Sequence, residues 1–287
     1  LKRINVSYVC SQLMKDAAQF LWSDVCKKKV ILTPPALNIN NFFEQKEYKD
    51  REFDIGFKGI KYYSYIGDTE RNTMIKKFSK INGLNLNINF SRFDAKNWSI
   101  FLNSCKSVIS SEAGSYFVDI DDKNIRVILS KIKAKTSKII IPRSNLDKLF
   151  YNLPVSVKNL IKFFLKKSPI SHSNLVFEDA EFEKFYKSYF DSLVKPQIHF
   201  KCISSRNFDA IGTKTIQILL EGRYNDILKP NEHYLSLKKD YSNFKEILEY
   251  IKDDNKVKKI TEQALSFVKQ NHLYKNRVDH IIKQITS

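Results

Sequence analysis

Apolar residues along the chain switch repeatedly between the two-residue period of strands and the i, i+3, i+4 spacing of helices. The first pattern predicts strands at 30–32, 53–57, 84–90, 107–109 and 215–220. The second predicts helices at 11–27, 70–81, 98–105, 244–251, 256–270 and 274–285, with a short helix at 206–209. Because strands alternate with helices, we predict an α/β fold, with a Rossmann-like parallel sheet in residues 50–287 and helices at the C-terminus.

Two helix starts carry capping signals. Asp68 or Thr69 is expected to cap the helix that presents Met74 and Phe78. Asn243, followed three residues later by Glu246, has the spacing of a capping box.

The alternation stops at about residue 122 and resumes at about residue 200. This stretch is rich in lysine and is predicted to be a largely helical insertion. At its centre, Phe163, Phe164 and Leu165 are flanked by lysines at 162, 166 and 167. That pattern fits a helix resting on an anionic membrane, and it also fits an ordinary helix that faces the core.

The net charge of the chain indicates which kinds of ligand or partner it could bind. The chain of 287 residues has 49 Lys and Arg against 31 Asp and Glu, a net charge of +18. Such a surface attracts phosphates, nucleic acid or an anionic membrane, unless the lysines merely solvate the fold.

Cysteine and hydropathy exclude several classes of protein. The four cysteines are far apart and have no histidine at zinc spacing, so neither a disulfide framework nor a zinc site is indicated. No apolar run approaches the ~20 residues that cross a bilayer. A cytoplasmic protein, peripheral at most on the inner face of the cell membrane, is the expectation. Because the chain begins without Met, we also expect that an N-terminal part is missing.

Three loops follow predicted strands or precede helix starts, where parallel α/β sheets bind anions and other ligands. The first has Lys58 and Arg71 near several glycines, and the second places Glu112 among small residues. The third has Arg206 and Asp209 on one helical face. Each also has a purely structural interpretation: solvated lysines, a turn or cap, and an intrahelical ion pair, respectively.

Three stretches carry a family resemblance: "DIGFKGIKYYSYIGDTERNTMIKKF", "FLNSCKSVISSEAGSYFVD" and "SSRNFDAIGTKTIQILLEGRYNDILKPNEHYLSL". They resemble the C-terminal, nucleotide-sugar-binding half of group 1 GT-B glycosyltransferases, which include spore-maturation-like and surface-polysaccharide enzymes. The resemblance spans about 53–279, except for the insertion. It implies that 1–49 are the end of an acceptor-side domain plus linker, and that 50–287 form the nucleotide-sugar-binding domain with its insertion at about 122–200.

The resemblance also implies roles for individual residues. Glu112 occupies the place of a glutamate near the donor sugar, and Asp209 that of a glutamate on the nucleotide ribose. The insertion between them and the Asp in place of Glu depart from the family pattern. Lys58 and Arg71 resemble the diphosphate-binding cations, and Arg206 with the turn Gly212, Thr213 and Lys214 is assigned to phosphate.

No cofactor and no metal ion are expected, because GT-B enzymes stabilise the leaving diphosphate with cations and helix dipoles. The run of Asp119, Asp121 and Asp122 imitates the metal-binding motif of a different glycosyltransferase class. The donor is a substrate, a nucleotide-diphosphate sugar.

The predicted function is therefore transfer of a sugar from a nucleotide donor to a glycan or lipid-linked acceptor in cell-surface polysaccharide synthesis. Nucleic acid is not an expected partner, and the insertion is the candidate for contact with an anionic membrane. Two alternatives stay open: a basic nucleic-acid-binding module, and a catalytically inactive GT-B-like scaffold.

Overall fold

The computed structural model describes residues 5–60, 62, 68–91, 93–117 and 198–286, together with a few isolated positions between 118 and 197. The chain divides into two compact units. One comprises Leu1–Tyr62, Thr69–Tyr116 and Gln197–Ser287 and holds every element described below, and the other comprises Tyr63–Asp68 and Phe117–Pro196. The predicted helices of the insertion, including 160–167, lie outside the described residues.

A five-stranded parallel sheet forms the centre of the first unit. Its strands are β3 (Phe53–Lys58), β4 (Leu86–Asn89), β5 (Cys105–Ser110), β6 (Ile216–Leu220) and β7 (Leu235–Leu237), in the order β4-β3-β5-β6-β7. All four neighbouring pairs are parallel. This is the order of a doubly wound, Rossmann-like sheet, so the predicted fold class is confirmed.

Seven α-helices lie in the described ranges. They are α1 (Lys15–Trp22), α2 (Glu70–Phe78), α3 (Ala95–Ser104), α4 (Ser205–Gly212), α5 (Phe244–Tyr250), α6 (Asp254–Asn271) and α7 (Tyr274–Thr286). Successive strand residues point to opposite faces, so Val108 belongs to one core and Ile109 to the other. Buried residues of α3, α4 and α6 are in the first core, and α2 and α5 contribute to the second.

The start of the segment 38–51, which is predicted to be a linker, packs against the fold together with the preceding Leu37. Leu37 is buried, and its backbone N–H donates to His272 O at 2.9 Å. The carbonyl of Phe42 lies 2.5 Å from where a Cβ on Gly212 would be, so only glycine fits there. A second, two-stranded parallel sheet of β1 (Tyr8–Ser11) and β2 (Lys29–Leu32) precedes this segment. The domain boundary near residue 50 stays a prediction.

The capping box predicted at Asn243 was wrong, because its side chain makes no capping bond to α5. The Asn243 side-chain amide instead bonds to the end of β7 and the residue after it: it donates to Ser236 O and accepts from Lys238 N. Of the two residues predicted to cap α2, Thr69 lies at the capping position and makes no side-chain capping bond. Asp94, which the sequence analysis passed over, caps α3 by accepting from Asn97 N at 2.8 Å.

Arg51 stabilises the amino edge of the sheet, the edge at which its parallel strands begin. Its guanidinium is buried and donates to Cys105 O at the start of β5, to Thr213 O and to the Thr215 hydroxyl before β6. Two further bonds go to Lys46 O. The one side chain thus joins the entry segment to the starts of two strands.

Replacing Arg51 with Met should lower the free energy of unfolding by about 3 kcal/mol or more, because buried carbonyls lose their donor. Urea denaturation measures the loss. Lys49→Met is the matched control: its side chain is 67% exposed and its ion pair among the described residues is with the exposed Glu47, so its effect should be small. Equal effects in the two variants would contradict the structural role of Arg51.

Candidate functional site

The sheet order creates a crevice between β3 and β5. The chain leaves β3 toward β4 on one side and later returns to β5 on the other, so their carboxyl ends form the topological switch point. Open α/β sheets bind their ligands outside this point. Lys58 is the last residue of β3, and Glu112 follows β5 by two residues.

Two guanidinium groups meet at the end of β3, next to Lys58. Arg206, at the start of α4, donates to the carbonyl of Lys58 at 2.6 Å. A Cβ on Gly59 would lie 2.7 Å from Arg71 Nη2 and 2.9 Å from Arg206 Nη1. Both guanidinium groups therefore pack closely against that glycine. The structure therefore brings together Lys58, Arg71 and Arg206, which lie far apart in sequence.

The partners of Lys58 and Arg71 are neutral. Lys58 Nζ donates to Asn87 Oδ1 at 2.7 Å and lies over the rings of Phe93 and Phe101. Burial lowers the pKa of Lys58. The Arg71 guanidinium lies over Phe57 and Tyr62, and its buried Nε has no hydrogen-bond partner in the described part of the chain. Neither side chain is paired with an acid among the described residues, so both are available to an anion.

Asp209 lies one helical turn beyond Arg206 on α4. Its Oδ2 accepts from the indole N–H of Trp98 on α3 at 3.0 Å. Burial raises the pKa of Asp209 to about 7, although the Trp98 hydrogen bond and the charge of Arg206 lower it. The carboxyl group is therefore close to half-ionised at neutral pH.

Glu112 is buried and holds a strained turn. Its Oε1 accepts from Tyr224 N at 2.8 Å, and Gly222 packs against its Oε2. Tyr224, Asn225 and Asp226 all have positive φ, a conformation that costs L residues about 1 kcal/mol or more each. Glu112 thus has a structural role at the carboxyl edge, whatever else it binds.

The turn Gly212, Thr213 and Lys214 is not brought to this group. It lies at the other end of α4, beside the start of β6. Lys214 Nζ pairs with Glu44 at 2.8 Å, and the Thr213 hydroxyl is engaged with neighbouring backbone and Thr215. The geometry gives the phosphate assignment of these three residues no support.

Trp98 and Gln217 are two site residues that the sequence analysis missed. Both line a cavity of about 20 Å³ beside Lys58, Ser110 and Arg206, large enough for one water molecule. Gln217 accepts from Asn207 at 2.9 Å, whereas its buried Nε2 makes no hydrogen bond within the described ranges. The only available signal was that Trp98 precedes a strand of the switch point.

The arrangement suits a ligand with both phosphate and hydroxyl groups. Guanidinium and ammonium donors recognise phosphate oxygens, and a carboxylate one turn away accepts from hydroxyls. Within the described residues, no group of three or more His, Cys, Asp or Glu side chains is placed to hold a metal ion. The acidic run at 119–122 lies outside those residues, and metal independence stays a prediction.

Among the helices that the structure describes, none is long and apolar enough to span a membrane.

Comparison with known proteins supports the family resemblance. Residues 176–283 match the family described as "Glycosyl transferase-like". This range contains the third quoted motif with Arg206 and Asp209, so the resemblance to group 1 GT-B glycosyltransferases is confirmed there. No curated protein matches the chain.

Two solved structures are similar over nearly all of this chain. TarM is 9% identical with a TM-score of 0.47, and 99% of this chain covers 44% of TarM. Sucrose-phosphate synthase from Thermosynechococcus elongatus is 12% identical with a TM-score of 0.43, and 97% of this chain covers 58% of it. This chain thus spans about half the length of each.

Asp209 makes stability depend on pH. Its folded pKa of about 7 lies above the ordinary 3.8, so between those values the folded state holds a proton that the unfolded state releases. Stability should therefore fall as pH rises from about 4 to 7 and change no further above it. Asp209→Asn should gain on the wild type by roughly 1 kcal/mol per pH unit in this window.

Urea denaturation at pH 5 and pH 8 measures this gain. Asp226→Asn is the control, because Asp226 is exposed and its pKa is lowered by Arg223. An Asp209→Asn effect that is the same at both pH values would show that Asp209 ionises in the ordinary range.

Proposed function

We propose that the protein is a glycosyltransferase that moves a sugar from a nucleotide-diphosphate donor to a glycan or lipid-linked acceptor, and that this chain binds the donor. The observation that carries the proposal is the meeting of the Arg71 and Arg206 guanidinium groups at Gly59, next to Lys58, which lines one cavity with Arg206 at the switch point. The family match over 176–283 supports glycosyl transfer as the reaction.

The three cations suit the leaving group of such a reaction. As the bond to the sugar breaks, negative charge develops on the diphosphate, and fixed cations stabilise it more than they stabilise the bound donor. Arg71 and Arg206 are held by ring faces and by a backbone carbonyl, so they need little rearrangement to meet phosphate oxygens. Diphosphate binding is the role assigned to this group.

Asp209 and Glu112 bind the ribose and the transferred sugar of the donor, respectively. Asp209, one turn from Arg206, accepts hydrogen bonds from the ribose hydroxyls. Glu112, beyond β5, faces the transferred sugar while it holds the turn at Tyr224. A role in cell-surface polysaccharide synthesis and peripheral contact with the inner membrane face follow from the resemblance and the net charge of +18.

Gly59→Ala is the sharpest test of the cation group. The new methyl group would meet the ends of Arg71 and Arg206 at 2.7 and 2.9 Å and the Phe57 ring at 3.0 Å. The two guanidinium groups end flexible side chains and should move, whereas the ring need give way by only a few tenths of an ångström, so the fold should tolerate the change. We expect nucleotide-sugar affinity to fall about tenfold or more. Calorimetric titration measures the affinity, and an unchanged melting temperature is the control for folding. Unaltered affinity would contradict a role for Arg71 and Arg206 in binding the donor.

The same titration separates the alternatives. Saturable binding that selects one nucleobase supports the transferase, and steeply salt-dependent binding to any duplex supports a nucleic-acid-binding module. Donor binding without turnover on any acceptor would favour the inactive scaffold.

The two carboxylates should give different phenotypes. Asp209→Ala should weaken nucleotide diphosphate binding roughly ten- to hundredfold, because a charged acceptor is lost. Glu112→Gln keeps an oxygen for Tyr224 N, so it should leave that binding and the melting temperature nearly unchanged while turnover with the sugar donor falls. Binding and turnover are measured separately. Equal losses that follow stability in both variants would contradict the two roles.

A further inference from the structure

Trp98 touches both charged groups of α4 that the proposed donor site uses. Its indole N–H donates to Asp209 Oδ2 at 3.0 Å, and the Arg206 guanidinium lies 5.0 Å from the centre of its ring. The ring itself stacks on Phe101, with centroids 5.4 Å apart and planes 23° apart. One rigid side chain therefore bridges α3 and two successive turns of α4.

These contacts restrict how Asp209 and Arg206 can move. An indole N–H donates and cannot accept, so it occupies Oδ2, and Oδ1 is the carboxylate oxygen available to a hydroxyl donor. The ring face attracts the guanidinium, which is also held by the Lys58 carbonyl at 2.6 Å. Loss of the indole would remove one restraint from each group at the same time.

We propose that Trp98 is a positioning residue of the donor site: it orients Asp209 and Arg206 so that ribose and diphosphate are bound together. The inference rests on the proposed function. Trp98 itself need not touch the donor, because it acts through the two side chains on α4.

Ionisation of Asp209 gives this role a measurable signature. Burial raises its pKa to about 7, opposed by Trp98 on α3 and by Arg206 on α4. These are the groups within the described ranges that act on the carboxyl. Without the indole N–H the pKa should rise further, so that the ionised form is scarcer at neutral pH.

Fluorescence tests the contact without any ligand. The chain has two tryptophans, and Trp22 lies in α1, outside the site, so Trp22→Phe leaves Trp98 as the single reporter. Its emission should change with a midpoint near pH 7 as the bonded carboxyl titrates. Adding Asp209→Asn should abolish the transition. A transition that survives in that double variant would overturn the contact between the two groups.

Binding tests the positioning role. Titration of the full chain with nucleotide-diphosphate sugars from pH 5.5 to 8.5 is suitable, because their phosphates do not titrate in this range. Trp98→Phe keeps an aromatic ring and removes the N–H. We expect its affinity to be about tenfold lower than wild type at pH 6.5, with the difference narrowing at pH 8.5. Trp98→Ala should lose tenfold or more at every pH.

The outcomes distinguish the two proposals. A Trp98→Phe profile that parallels the wild type across the pH range would overturn the positioning role and leave the donor site intact. Absence of nucleotide-sugar binding in the wild type, with the fluorescence transition present, would overturn the proposed function and the positioning role with it. A shifted profile together with the fluorescence transition supports the inference.

Discussion

The structure depends on a buried guanidinium at the edge of the sheet opposite the site. Arg51 satisfies carbonyls of Lys46, Cys105 and Thr213, and a carbonyl left in a low-dielectric core without a donor costs more than a hydrogen bond normally contributes. Because it holds the starts of β5 and β6 against the segment that leads into β3, Arg51 sets where these strands begin. The lengths of β3 and β5 then determine where their carboxyl ends place Lys58 and Glu112.

The chain uses its cations in two different ways at the two edges. At the amino edge Lys214 pairs with Glu44, and a 3.9 Å contact to Glu262 adds to it, so its charge is neutralised inside the protein. At the carboxyl edge Lys58 and Arg71 meet an amide and aromatic rings, which support a cation without cancelling it. Net charge alone does not distinguish these cases. The local partners do, and they favour an anion at the switch point.

Much of the fold could be predicted from the sequence because strand and helix periods are local. The site could be predicted only in part. Asp209 and Trp98 are 111 residues apart, and the sequence around each residue does not predict the contact. Gly212, Thr213 and Lys214 are close to Arg206 in sequence, yet α4 is about 12 Å long and its two ends lie toward opposite edges of the sheet. A helix that leads into a parallel strand ends at the edge where that strand begins, so the topology does not support a phosphate role for these three residues.

The buried Glu112 and the half-buried Asp209 affect stability in different ways. Glu112 is stabilised by the backbone N–H of Tyr224, and in return it holds three consecutive residues with positive φ, so its burial is balanced locally. Asp209 receives a single indole N–H and a nearby guanidinium, and these do not restore its ordinary pKa. An asparagine could accept the same indole hydrogen bond without the cost of a buried charge. The acid at this position therefore lowers stability at neutral pH, and a ligand that donates hydroxyl hydrogen bonds to it would offset that loss.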